Sequence, residues 1–426
     1  MPVPAFNRRR FVQAGVLGGA ALVGVPSRAP AFVRSRPVLT HGIQSGDVTA
    51  RSAVVWARAD RPSRMRVELA RTPRFRDARV LRGPVVTPDT DFTGKVALHG
   101  LHAGQETFYR VTLEDLDDPS VVGRPLTGSF RTPALRRRRD VSFVWGADIA
   151  GQGWGINPDF GGYRIFAEME ALEPDFFLCS GDTIYADNPL TAATPLPGDR
   201  IWRNVVTEEK SKVAETLDEF RGQFAYNLID DNLRSFAARV PQVNQWDDHE
   251  VHNNWYPGQV LTDPRYTEQR VDVLAARAKQ AFFEWLPIAT QHGDQDGRIY
   301  RKISHGPLLD VFVLDMRTYK DPNGENVYAD PARGLLGARQ RAWLKRGLAT
   351  STATWKVIAN DLPLGLVVPD TPTTFEGVAQ GQPGAPRGRE LEFADVLSYA
   401  HRRRTRRRRT ATSSSATSRS TATRAR

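Results

Sequence analysis

The chain has 426 residues, 40% hydrophobic and 25% charged, which excludes a globally disordered protein and leaves room for two or three domains. Cys179 is the only cysteine, so an internal disulfide is excluded. Of the +11 formal charge, ten arginines lie in 401–426 and four (Arg8, Arg9, Arg10 and Arg28) in 1–31, with no acid in either; residues 32–400 carry −3, which argues against a specific nucleic-acid partner.

In chain order, residues 1–31 read as a twin-arginine export signal. Asn7-Arg8-Arg9-Arg10-Phe11-Val12 precedes a mild apolar run at 14–25, and Ala29-Pro30-Ala31 offers a small-x-small cleavage site. The run is too short and glycine-rich to span a bilayer. The expectation is passage through the twin-arginine machinery to the periplasm, cell wall or medium, with no transmembrane anchor in the mature chain. Residues 38–133 read as a β-sandwich, with strands at 52–57, 64–69, 94–98 and 107–113 separated by turn residues. His41, His99 and His102 fall there and are expected at its surface or edges. The arginine run at 136–139 after Thr132-Pro133 reads as a linker.

From residue 140 to about 400, strand-like and helical patterns alternate, which predicts an α/β domain. Helices are expected at 163–172, 210–226, 270–286, 338–348 and 391–399, and strands at 308–314 and 355–359. Residues 401–426 contain Arg, Thr, Ser and Ala with no larger apolar residue past His401, and are expected to be disordered.

Two apolar runs end in small residues plus an acid, and a third segment crowds acids, imidazoles and amides a few residues past Val243. Val141–Asp148 ends in Gly-Ala-Asp, Phe176–Phe177–Leu178 leads into Ser-Gly-Asp, and Val243 is followed by Asp247, Asp248, His249, His252, Asn253 and Asn254. Carboxylates and amides at successive strand ends suit hard cations, imidazole tolerates iron or zinc, and two such cations can clamp a phosphoryl group and activate a water. Cys179, beside Phe177 and Leu178, reads as a buried small hydrophobe.

Together these segments resemble the PhoD-like alkaline phosphatase/phosphodiesterase family of the calcineurin-like metallophosphoesterases. The likeness is carried in order by His41–Thr49, Gly151–Gly155, Pro174–Asp187, Gln245–Trp255, Leu314–Tyr319 and Gly388–Glu392. It implies a fibronectin/Ig-like sandwich, then a four-layer α/β/β/α domain with a dinuclear or multinuclear metal centre of Fe3+ with Ca2+. By the resemblance, Asp148 takes the first ligand position, Asp182 bridges the metals, and Tyr185 supplies a phenolate to ferric iron. Asp248 takes the place of the usual Asn ligand, and Asn254 is a further oxygen ligand or phosphate contact. His249 contacts phosphate or protonates the leaving oxygen, with Asn253 beside it on the substrate.

Plainer alternatives stand beside these roles. Tyr185 can pack on the sheet, Asp247 can be a helix N-cap rather than a ligand, and His252 can lie at the surface. Asp315 and Arg317 pair with each other or orient the site, and Asn360-Asp361 serve the site or a turn. The family continues past the Gly-Arg-Glu helix into a strand ending in Asp-x-His. Here the Arg/Thr/Ser/Ala segment stands instead, and its composition is that of a GC-rich frame read out of register. The sequence therefore predicts a frameshifted C-terminus and a domain lacking its last strands and ligands. The expected function is an exported, monomeric, metal-dependent phosphomonoesterase or phosphodiesterase acting on a phosphate ester. The alternatives are an impaired member serving as an extracellular binding protein, or polyanion binding by the tail.

Overall fold

Buried positions alternating with partly exposed ones make residues 39–131 a run of seven strands: β1 (Leu39–Gly46), β2 (Ser52–Ala59), β3 (Ser63–Ala70), β4 (Arg79–Val86), β5 (Thr93–His99), β6 (Glu106–Asp115) and β7 (Leu126–Arg131). The order β4-β3-β6-β7 forms one antiparallel sheet, and β5, β2 and β1 pair antiparallel in another. Val55, Met65, Val67, Val111 and Leu113 fill the space between them. Each expected strand of this region is present and longer than predicted. The computed structural model describes residues 35–136, 139–289, 297–330 and 334–402. The chain divides into Met1–Ser35 and Arg36–Arg426, and every element named here belongs to the second unit. The export signal and residues 403–426 of the tail lie outside the described residues.

The remaining elements alternate. They are β8 (Phe143–Gly146), α1 (Arg164–Ala171), β9 (Phe176–Ser180), the hairpin β10 (Ala193–Leu196) and β11 (Arg200–Arg203), α2 (Leu217–Asn227), α3 (Asp231–Arg239), β12 (Gln242–Gln245), α4 (Val271–Trp285), β13 (Arg301–His305), β14 (Leu309–Val313), α5 (Gly337–Thr350) and β15 (Trp355–Ala359). Residues 390–402 are also helical. β8, β9 and β12 run parallel, and β1 joins β12 with Gly46 opposite Gln242, so one sheet of order β5-β2-β1-β12-β9-β8 runs through sandwich and α/β part alike.

The period-two geometry of β9 sorts its side chains into two cores. Phe177 and Cys179 turn toward Phe166, Phe224, Phe236 and Phe282 on α1–α4. Phe176 and Leu178, with Val243, turn the other way onto Ile303, Leu309, Val311 and Val313 of the β13-β14-β15 sheet. On that sheet's far side Phe312 and Leu314 meet Leu344 of α5. The α/β/β/α layering expected from the sequence is present. Burial of Phe176, Phe177 and Leu178 contributes roughly 1.5–3 kcal/mol each, which anchors the strand from whose tip Asp182 projects.

Two readings need adjusting. The helix expected at 210–226 starts only at Leu217, because Thr216 and Glu219 form a capping box that fixes its beginning there. Lys210 instead lies in a short 3-10 turn and donates to the Tyr185 carbonyl at 3.0 Å. His41 is half-buried, lies edge-on to Trp285 with ring centroids 5.3 Å apart, and has its pKa lowered to about 4, by burial first and then by Arg58. Cys179 is fully buried, and burial pushes its thiol up to about 12, as suits a packing residue. β8 and β15 are edge strands among the described residues, with Trp145 71% and Trp355 70% exposed. No helix among the described residues is long and apolar enough to cross a membrane.

Candidate metal centre

β9 and β12 are hydrogen-bonded neighbours, so the loops leaving their carboxyl ends emerge side by side. The contact is close. A Cβ on Gly181 would lie 2.4 Å from the Asp247 Cβ, and Gly181 has φ of +103°, so only glycine fits on both counts. Asp182 follows with φ of 48° and is 5% exposed; Asp148 and Asn254 also sit in the left-handed region at 60° and 57°. Such backbone costs about 1–3 kcal/mol per residue and collects where a side chain must be aimed.

Ligand atoms of Asp182, Asp248 and His249 lie within 4.8 Å of one another, and all three residues are buried. The His249 amide donates to Asp182 Oδ1 at 3.3 Å, and the Asn254 amide to Asp248 Oδ2 at 2.6 Å. On one flank, the His249 ring stacks on Tyr185 with centroids 4.3 Å apart. Its Nδ1 meets Asp187 Oδ1 at 2.7 Å, and Asp187 Oδ2 accepts the Asn253 amide at 2.8 Å. Burial opposes a charge on this histidine, but the Asp187 hydrogen bond and charge outweigh it and raise its pKa; Asp187 is lowered in turn. The Tyr185 hydroxyl donates to Asp148 Oδ1 at 2.6 Å. Gly151 lies against the Tyr185 ring, where a Cβ would come within 2.4 Å of its carbons.

The opposite flank is ionic. Arg317, 1% exposed, donates to Asp247 Oδ1 from Nε at 2.6 Å, lies 3.3 Å from Asp361 and 3.8 Å from Asp248, and pairs with Glu376. Lys320 meets the same Glu376 at 3.1 Å. Behind both loops, the fully buried Glu250 accepts from the amides of Thr183 at 2.6 Å, Asp247 at 2.7 Å and Asp182 at 3.3 Å.

This concentration of carboxylates fits bound cations. Burial, then the charges of Asp247, Glu250, Asp248 and Asp148, holds the Asp182 carboxyl well above its ordinary range. Burial raises Asp247 to about 6 despite Arg317, and Glu250 to about 8. Crowded, desolvated acids of this kind are relieved by a divalent or trivalent ion among them. The two buried carboxylates of Asp182 and Asp248 suit such an ion, with the His249 ring beside it.

The sequence-predicted residues distribute as follows. Asp182, Asp248 and His249 converge, and Tyr185 adjoins them through its stack on His249. Asp148 is exposed and reaches the group through Tyr185. Asn254 turns its amide nitrogen to Asp370 Oδ1 at 2.5 Å while its backbone holds Asp248. Asn253 is exposed, and His252 packs edge-on to Tyr266. Asp247 ion-pairs with Arg317 and caps no helix. Asp315 accepts from Trp246 Nε1 and from the amides of Arg317 and Thr318, so it holds a turn while the Arg317 side chain goes to the acids. Asp361 joins them, and Asn360 closes a local turn onto the Leu362 carbonyl. Sequence reading gave no role to Asp187, Glu250 or Glu376. The first two lay inside strings already singled out, Asp187 two residues past Tyr185 and Glu250 directly after His249. Glu376 sits in a loop without a pattern.

The chain also matches known proteins in sequence and fold. The model for PhoD-like phosphatase matches residues 143–409, and that for the PhoD-like phosphatase N-terminal domain matches residues 25–134. The chain is 28% identical over 386 residues to alkaline phosphatase D of Bacillus subtilis (strain 168), a match covering 84% of this chain and 63% of that protein. The chain thus spans under two thirds of that relative's length. The solved structure of PhoD superposes with a TM-score of 0.65 at 25% identity, over 82% of this chain and 67% of that one.

Proposed function

The chain belongs to the PhoD-like phosphatase family, and from that premise we propose that it hydrolyses phosphate esters at the tips of β9 and β12. The observation that carries this reading is the convergence of Asp182, Asp248 and His249 within 4.8 Å. Asp182 would hold two cations at once, Asp148 and Tyr185 a ferric ion, and Asp248 with Asn254 a calcium ion. The Tyr185–Asp148 hydrogen bond supports the ferric assignment, because it brings two hard oxygen donors together. Bound cations supply the charge that polarises phosphoryl oxygens and acidifies a water.

The chain's own groups do the rest. Asp187 fixes His249 through Nδ1 and favours its protonated form, which leaves Nε2 to contact phosphate and give a proton to the leaving oxygen. Stacking on Tyr185 holds the ring in one plane. Asn253, exposed next to this pair, adds a polar contact to the substrate. The twin-arginine segment supports export to the periplasm, cell wall or medium.

A chromogenic phosphomonoester and a diester, offered to purified protein with Fe3+ and Ca2+ supplied and then chelated, test this reading. Metal-dependent turnover of either ester is expected. Protein that binds neither ion and hydrolyses neither ester overturns it.

A further inference from the structure

Two loops carry the converging acids, and neither is helix or strand at the residues that matter: Asp182 and Thr183 follow β9, and Asp247 and Asp248 follow β12. Their amides therefore lack ladder partners and need acceptors from elsewhere. One side chain supplies them for three of the four, Asp182, Thr183 and Asp247. Glu250 Oε1 accepts from Thr183 at 2.6 Å, and Oε2 accepts from Asp247 at 2.7 Å and from Asp182 at 3.3 Å. Glu250 is 0% exposed and sits in the turn closed by the Asp248 carbonyl, which accepts from Val251 and His252 at 2.8 Å each.

We infer that Glu250 is a positioning residue for the metal centre: a carboxylate strut that fixes the spacing of the Asp182 loop and the Asp247–Asp248 loop. The inference rests on reading Asp182 and Asp248 as metal ligands. Both Glu250 oxygens point at backbone N–H groups, so the residue acts on the cations through the ligands rather than by touching them. The chemistry also explains the residue type. Three N–H donors shared by two oxygens require an acceptor at both ends, which a carboxylate provides. A glutamine of the same shape turns an NH2 group onto at least one of those donors. Groups behind metal ligands typically tune affinity by about 10–100-fold.

The test uses Mn2+ alone as probe, with the free ion counted by its EPR signal, on metal-free wild type, Glu250→Gln and Glu250→Asp. Glu250→Gln should bind Mn2+ about 10–100-fold more weakly with an unchanged near-UV circular dichroism spectrum. Glu250→Asp keeps both oxygens but reaches one methylene less, and should fall between. Excess Mn2+ should restore kcat in Glu250→Gln, which a merely structural defect would not allow. Affinity within twofold of wild type in both variants overturns the inference while leaving the proposed hydrolase intact. Wild type that binds no Mn2+ overturns the inference, and the proposed hydrolase falls with it only if the protein also binds neither Fe3+ nor Ca2+ and hydrolyses neither ester. Should the variants not fold, hydrogen exchange on the wild type decides: the amides of Asp182, Thr183 and Asp247 must be protected like strand amides, and open-loop rates overturn the strut.

Discussion

The two flanks of the acid cluster are built on opposite principles. On one, His249 stacks on Tyr185, pairs with Asp187, and reaches the exposed Asp148 through the tyrosine hydroxyl. On the other, Arg317 lies 1% exposed among Asp247, Asp248, Asp361 and Glu376, with Lys320 behind. The first flank has one titratable ring held by one partner and open toward solvent through its neighbours. The second is a closed lattice of paired charges. On the proposed reading, in which His249 gives a proton to the leaving oxygen, the site divides its tasks: the titrating ring lies on the flank that reaches the exposed Asp148, and the fixed charges lie on the buried one.

That division predicts different phenotypes. Replacing the ring in His249→Asn, whose amide can still donate to the buried Asp187, should lower kcat by about 10²–10⁴-fold and leave the urea midpoint near that of wild type. A matching loss of stability would merge the two flanks. Arg317→Met removes the one guanidinium shared by four acids and should cost about 3–5 kcal/mol of unfolding free energy, because uncompensated buried charge remains. Urea unfolding reads this directly, and a cost below about 1 kcal/mol would show that the lattice is not what holds the acids.

The smallest effect isolates pH sensitivity that belongs to neither flank. His305, 3% exposed and stacked on Phe176 with centroids 4.4 Å apart, has its pKa lowered by burial to about 4. Folded protein keeps this ring neutral, whereas unfolded chain takes up a proton below about 6.5. The unfolded state binds more protons in that interval, so stability falls as pH drops from about 6.5 to about 4, by at most about 3 kcal/mol. His305→Gln should flatten this limb of the melting temperature against pH. An unchanged limb would assign the acid sensitivity elsewhere, to His41, whose pKa burial also lowers to about 4, or to the metal centre.

Much of this was legible beforehand, for reasons that differ by residue. Phe176–Phe177–Leu178 announce a strand buried on both faces, and Gly181-Asp182 announce its end. Those are local facts of composition and backbone freedom, so Asp182 could be named from the chain alone. Asp248 and His249 stood among six candidates past Val243, and it was the family resemblance that singled them out. Asp187 and Glu250 stood in the same strings yet gave no signal, since an acid beside assigned residues looks alike whether it faces water or a neighbour's amides. The helix expected from Lys210 failed because apolar spacing alone cannot see a capping box that starts it at Leu217.

The sequence by itself determined which residues lie at strand ends, the α/β class of the second domain and the chemical kind of the donors, because periodicity and turn residues act over a few positions along the chain; its four-layer plan came from the family resemblance. Only the tertiary structure decided who meets whom. Tyr185 to Asp148 spans 37 residues, His249 to Asp187 spans 62, and Gln245 to Asp361 spans 116. Contacts at that separation depend on β9 pairing with β12 and on the second sheet packing beneath them, and no local rule of the chain encodes either.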